Sequence, residues 1–238
     1  SLVGSEMCIR DRAEIPQLAA AFGNTGLHFD YLLFDACFMS SIEALYDLRG
    51  CADRIIASPC EVMAAGFNYT DILPHLLADA GTSYDLPGVC SEYHGYYMNR
   101  ATTKSGCIAL TVTGELEPLA AIVKEIETKY PGKTYDRASL QTYEGLDEHV
   151  FYDLQGYIEA ICDEKDPLLD KFRAQMGKAF PTESRLHTPS FYSVYGLGDA
   201  PNGMHTIEDG KYSGVTTSAP CERFAPEWAQ TSWYRATH

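Results

Sequence analysis

Residues 29–34 read FDYLLF, a short apolar and aromatic run bounded by polar residues. Its length and content fit a buried strand of the parallel type. Asp35-Ala36-Cys37-Phe38-Met39 follows, and Ser40-Ser41-Ile42-Glu43 then reads as a capping box, with Ser40 as N-cap and Glu43 at the third position. Ile42, Leu45, Tyr46 and Leu48 share one helical face, and Gly50 suits the stop. Residues 54–58 (RIIAS) form the next strand. A strand, a helix and a second strand in so short a stretch are the signature of a parallel α/β sheet.

The alternation continues along the chain. Helices are expected at residues 70–80, 85–98, 147–160 and 166–178. Leu116, Leu119, Ala120, Val123 and Ile126 repeat at helical spacing and mark another. Residues 107–113 (CIALTVT) and 191–195 read as strands, and 213–217 as a short one. Residues 128–145 read as a long loop and 227–234 as a last helix. There is no internal repeat and no low-complexity linker, so one α/β domain is expected.

The first residues stand apart. Residues 2–11 (LVGSEMCIRD) resemble the codon-by-codon translation of a transposon-type sequencing-library adapter, with Arg12 compatible with the next bases. Residues 1–12 are therefore expected to be an artefact, with natural sequence from Ala13 to His238. The net charge is −15. Glu6, Asp11, Arg10 and Arg12 cancel, so the charge belongs to the remainder. Such an acidic surface argues against nucleic acid or anionic membrane as partner. No apolar run approaches the roughly 20 residues needed to span a membrane. The eight cysteines include no CxxC pair and no Cys/His cluster of zinc-finger spacing. With Cys8 set aside seven remain, so at least one is a free thiol.

Cys37 is the sharpest feature. It follows a strand, where open α/β sheets carry their active sites. The positive end of the helix that follows would favour a thiolate, the nucleophilic form. The alternative from geometry alone is an inert buried thiol. A nucleophile elbow would want small residues two places either side, where this chain has Asp35 and Met39.

Residues 31 to about 77, including the stretch from FDACFMSS through CEVMAAGFNYTDILPHL, resemble the core of clostripain-like cysteine peptidases, relatives of gingipains and caspases. The similarity continues more loosely through Gly95-Tyr96-Tyr97, the CIALTV strand and the terminal SWYRATH. It implies a caspase–hemoglobinase-like α/β fold, a mostly parallel sheet flanked by helices, with the first strands missing here. It also implies Cys37 as the nucleophile and cleavage after Arg or Lys. A cation entering a pocket must meet a carboxylate, or its desolvation is uncompensated. Asp35 leaves the same strand end with the same side-chain parity as Cys37 and is the first candidate for that pocket. Glu61, just past the next strand, is the second. The plainer alternatives are a loop-ordering carboxylate at Asp35 and a solvated one at Glu61. Near Ala64 and Ala65, where relatives are expected to carry a further acid, this chain has alanines.

The resemblance places a catalytic histidine several tens of residues before the cysteine, in a His-Gly context. None lies between Ala13 and Cys37. Nine strand residues at about 3.3 Å each put His28 roughly 30 Å from Cys37, beyond reach. His94-Gly95 follows the cysteine and sits in an expected helix. The general base is thus expected upstream of the sequence, which leaves this polypeptide inactive alone. The chemistry requires no cofactor. Calcium enters by family analogy only, and no EF-hand spacing is present. Export is likewise implied by analogy. Two other readings stay open: a caspase-like pseudoenzyme that binds peptides without cleaving them, and a different α/β thiol enzyme such as an amidase or acyltransferase.

Overall fold

A computed structural model describes residues 14–77, 83–195 and 201–238. The adapter-like residues 2–11 and the expected helix end near Ala80 lie outside the described residues.

In chain order the elements are α1 (Ile15–Asn24), β1 (Phe29–Leu33), α2 (Ile42–Leu48), β2 (Ala52–Ala57), α3 (Tyr69–Leu76), α4 (Leu86–Asn99), β3 (Ile108–Val112) and α5 (Leu116–Lys129). Then come β4 (Tyr152–Asp153), α6 (Leu154–Ile161), α7 (Pro167–Ala179), β5 (Arg185–Leu186), β6 (Ser190–Tyr192), β7 (Met204–Thr206), β8 (Thr216–Thr217), α8 (Ala225–Trp228) and α9 (Ser232–Thr237). The main sheet has the order β1-β2-β3-β5. β1 and β2 are parallel, with Phe29 opposite Ala52 and Leu33 opposite Ile56. The sheet then turns antiparallel at β2–β3 and β3–β5, which makes it mixed.

Strand periodicity sorts the core into two faces. Ile55 and Ala57 of β2 join the larger cluster with Leu45, Leu119, Phe172 and Trp233, drawn from α2, α5, α7 and α9. Ile56 of β2 joins the smaller cluster with Ile72, Val89, Tyr93 and Leu110, drawn from α3, α4 and β3. Neighbours in sequence therefore serve opposite layers, as a two-residue period demands. A helix-flanked sheet results, the fold class expected from the strand–helix–strand pattern.

Three local expectations change. The N-cap of α2 is Ser41, whose Oγ accepts the Ala44 N–H at 3.3 Å. Ser40 is instead buried and donates to the Gly214 carbonyl at 2.7 Å. Glu43 does not close a capping box. Its Oε1 accepts from the Thr217 hydroxyl, the Ser218 N–H and the Trp228 indole, at 2.9, 2.9 and 3.0 Å. The helix expected over 147–160 starts only at Leu154. The buried Glu144 carboxylate takes the N–H groups of Leu146, Val150 and Phe151, and those bonds hold the preceding residues in a loop. The last helix is two short ones, α8 and α9. Helix α1, with no fully buried residue, was not evident from the sequence pattern.

Candidate active site

Because β1 and β2 run in parallel, their C-terminal ends open on the same side, and the segments leaving them stay in register. Phe34 N–H donates to Ile56 O at 2.9 Å, Phe38 N–H to Cys60 O at 3.1 Å and Ser40 N–H to Ser58 O at 3.0 Å. This pairing brings Cys37, after β1, beside Val62, after β2. Val62 N–H donates to Cys37 Sγ at 3.3 Å. Of the free cysteines among the described residues, Cys37 is the exposed one, and the other six are buried.

The backbone beside Cys37 is unusual. Phe38 takes φ 59°, a left-handed conformation that a bulky residue adopts at a cost of about 1–2 kcal/mol. Two contacts hold it there. One is the N–H bond to Cys60, and the other is a ring stack on Phe151, with centroids 4.6 Å apart and planes within 3°. Phe151 belongs to the loop that Glu144 ties down. The Cys37 N–H donates to no carbonyl or side-chain oxygen among the described residues, so it is free to bind an oxygen outside the chain.

Electrostatics at the thiol oppose ionisation. Burial pushes the Cys37 thiol above its ordinary value of 9.0, the Val62 contact pulls it down, and the Glu61 carboxylate and Cys60 push it up again. Helix α2 starts five residues later and does not outweigh these effects, contrary to the expectation of a favoured thiolate. At neutral pH the thiol keeps its proton, and attack needs a base.

None of the histidines among the described residues bonds the thiol. His28 pairs with Asp53 at 2.8 Å, His75 with Asp85 at 2.7 Å and His149 with Glu144 at 2.7 Å. His94 meets the His187 carbonyl, His187 the Thr188 carbonyl and His238 the Thr237 hydroxyl. His205 stacks on Phe191. These seven are all the histidines of the chain.

Asp35 and Cys37 are both exposed at the exit of β1. The Asp35 Oδ2 accepts the Tyr69 hydroxyl at 3.0 Å and faces the Phe67 N–H at 3.4 Å. Gly66 makes this approach possible. Its φ is +61°, and a Cβ there would lie 2.6 Å from Asp35 Oδ2. Glu61 Oε1 accepts the Ser193 hydroxyl at 2.8 Å and the Val194 N–H at 2.9 Å. Its Oε2 takes no hydrogen bond among the described residues. Ala64 and Ala65 are exposed beside them. Sequence reasoning overlooked Ser193, Phe151 and Glu144, which arrive from distant parts of the chain. Among the described residues no three Asp, Glu, His or Cys side chains gather as metal ligands.

No curated protein sequence matches the chain. Solved structures do. A clostripain from Bacteroides thetaiotaomicron, in complex with the peptide inhibitor BTN-VLTK-AOMK, is 33% identical with a TM-score of 0.84, over 97% of this chain and 96% of that one. A secreted cysteine protease of the same organism, iotapain, is 34% identical with a TM-score of 0.84, over 95% of this chain but 60% of its own length. An inactive zymogen protease from Parabacteroides distasonis is 30% identical with a TM-score of 0.78, over 94% of this chain and 62% of that one. The sequence model of the clostripain family matches residues 6–206. With its caspase-like layout and the exposed thiol where β1 ends, the chain belongs to the clostripain family of cysteine proteases.

Proposed function

We propose that this chain carries the nucleophile and the substrate-binding half of a cysteine endopeptidase that cleaves after Arg or Lys. The observation that carries the reading is the exposed Cys37, whose N–H meets no oxygen among the described residues, at the strand end that also carries the exposed Asp35. Asp35 meets the basic side chain, held ready by Tyr69, with the unengaged oxygen of Glu61 as second partner. The lysine that ends the peptide part of the inhibitor bound to the Bacteroides clostripain supports a basic preference.

The general base is a histidine outside this chain's own seven, on a segment that packs beside β1. Its first step is to take the proton from the Cys37 thiol, which its surroundings keep protonated. The thiolate attacks the carbonyl carbon, and the oxygen gathers charge near the Cys37 N–H. The C–N bond then breaks, the leaving amine takes the proton back from the histidine, and water hydrolyses the thioester. The edge position of β1, which pairs with β2 alone among the described residues, suits such a neighbour. Secretion of the related iotapain supports export of this protein as well.

Hydrolysis of Arg and Lys esters by the protein carrying the upstream His-Gly segment, beside its Cys37→Ala variant, tests the reading. Turnover lost in the variant supports it. No turnover in a well-folded protein with that segment overturns it in favour of peptide binding without cleavage.

A further inference from the structure

The Ser193 hydroxyl joins three distant stretches of chain near the nucleophile. It donates to Glu61 Oε1 at 2.8 Å and accepts the N–H groups of Gly145 at 3.1 Å and Tyr195 at 3.2 Å. A hydroxyl has one proton and two lone pairs, so this one is saturated. Ser193 is fully buried. The Val194 N–H donates to the same Glu61 oxygen at 2.9 Å. Gly145 can approach only because it lacks a side chain, since a Cβ there would lie 2.2 Å from the Tyr195 carbonyl oxygen.

This knot fixes the backbone of 193–195 against the segment that holds Cys37, for Glu61 immediately precedes Val62, the residue bonded to Sγ. The side chains so fixed are Val194 and Tyr195, 50% and 47% exposed. A single exposed apolar residue means little. Two in succession, on a backbone joined by two hydrogen bonds to Glu61, the residue before Val62, form an apolar wall beside that segment.

We propose that Glu61 and Ser193 are positioning residues that hold Val194 and Tyr195 as this wall, and that the wall receives an apolar side chain of the peptide next to the basic one. The proposal rests on the peptidase reading and narrows its substrate class to peptides that pair an apolar residue with Arg or Lys. The part played by Glu61 here is that of an acceptor, whereas a direct role toward the substrate cation would need its charge. A glutamine keeps the acceptor and loses the charge, so the two roles separate.

The experiment needs no catalytic histidine. Capture of Cys37 by Leu-Lys and Gly-Lys chloromethyl ketones is followed against concentration, each rate divided by the same variant's iodoacetamide rate, which reports thiol reactivity alone. The wild-type chain is expected to bind the Leu-Lys probe about tenfold more tightly. Ser193→Ala, Glu61→Ala and Tyr195→Ala bring the ratio towards one, and Glu61→Gln keeps it. Hydrogen exchange reads the knot directly: the Val194 and Tyr195 amides are protected in the wild type and in Tyr195→Ala, and exposed in Ser193→Ala. Equal binding of the two probes by the wild type overturns the wall, even where both are captured far faster than a Gly-Glu probe and the peptidase reading stands. Unprotected Val194 and Tyr195 amides in the wild type overturn the knot whatever the probes do. Failure of every basic probe to saturate defeats the peptidase reading, and the inference that rests on it falls too.

Discussion

Replacing Gly66 by alanine tests, from the backbone, the geometry that holds Asp35 for its proposed role toward a basic side chain. Gly66 sits at φ +61°, and its ideal Cβ would meet Asp35 Oδ2 at 2.6 Å, Oδ1 at 3.0 Å and Cγ at 3.1 Å. Gly26 supplies the control, with φ +69° and nothing within 4 Å of its Cβ position. Both alanines carry the left-handed backbone cost of about 1–2 kcal/mol. Only Gly66→Ala must also drive a carboxylate away. Ordinary contact begins near 3.4 Å, so Asp35 Oδ2 must retreat by about 0.8 Å, given contacts at that distance are tolerated. That retreat breaks its bond to the Tyr69 hydroxyl and its contact with the Phe67 N–H. A hydrogen bond to a charged group contributes about 1.5–3 kcal/mol, and exposure of Asp35 puts these at or below the lower end. Gly66→Ala should thus cost about 2–4 kcal/mol in urea unfolding and Gly26→Ala about 1–2 kcal/mol. The displaced carboxylate should also weaken saturable capture of Cys37 by a lysyl chloromethyl ketone, about tenfold for each 1.4 kcal/mol of lost attraction, with no such change in Gly26→Ala. Equal stability and equal capture in the two variants would refute the argument that Gly66 is there for Asp35.

Two further outcomes are expected. Because its surroundings hold the Cys37 thiol above 9.0, its iodoacetamide rate should climb with pH about tenfold per unit through neutrality and level off only above 9.0; a plateau below pH 8 would show that the thiolate is favoured after all. Glu144→Gln retains an oxygen for Val150 and Phe151 but sets an NH2 group against the Leu146 N–H and, where His149 Nδ1 carries its proton, against that too. A loss of about 2–3 kcal/mol is expected, read by urea unfolding, with faster exchange of the 146–151 amides; a neutral substitution would mean that Glu144 does not organise that loop.

The strand–helix–strand unit was legible because its information is local. Residues 29–34 and 54–58 are short apolar runs of strand length and α2 repeats its apolar residues at helical spacing, and β1, α2 and β2 formed close to where they indicated. The helix boundaries near 147 were not legible for the opposite reason. Residues 147–151 alone have ordinary helical composition, and what unwinds them is one carboxylate, Glu144, whose bonds with Leu146, Val150 and Phe151 cannot be read from a window of apolar residues. The same holds at α2. A serine followed three residues later by a glutamate fits a capping box, yet Glu43 is drawn off by Thr217, Ser218 and Trp228, more than 170 residues away in sequence.

The site divides along the same line. Cys37 and Asp35 could be found because they are neighbours in one motif at the end of a strand whose direction was already implied. The partners that give them meaning come from elsewhere: Val62 from the parallel strand, Phe151 from the Glu144 loop, Ser193 from beyond β6. Even the sign of the thiol's shift depended on them. A helix start five residues downstream argued for a thiolate, but burial and the Glu61 carboxylate, brought in by the β1–β2 pairing, prevail. Motif reasoning therefore singled out the one exposed thiol among the described residues, while its protonation state is set by contacts across the fold. The proposed mechanism therefore calls for a base brought to Cys37: its surroundings push the thiol above its ordinary value, and none of the seven histidines hydrogen-bonds the sulfur.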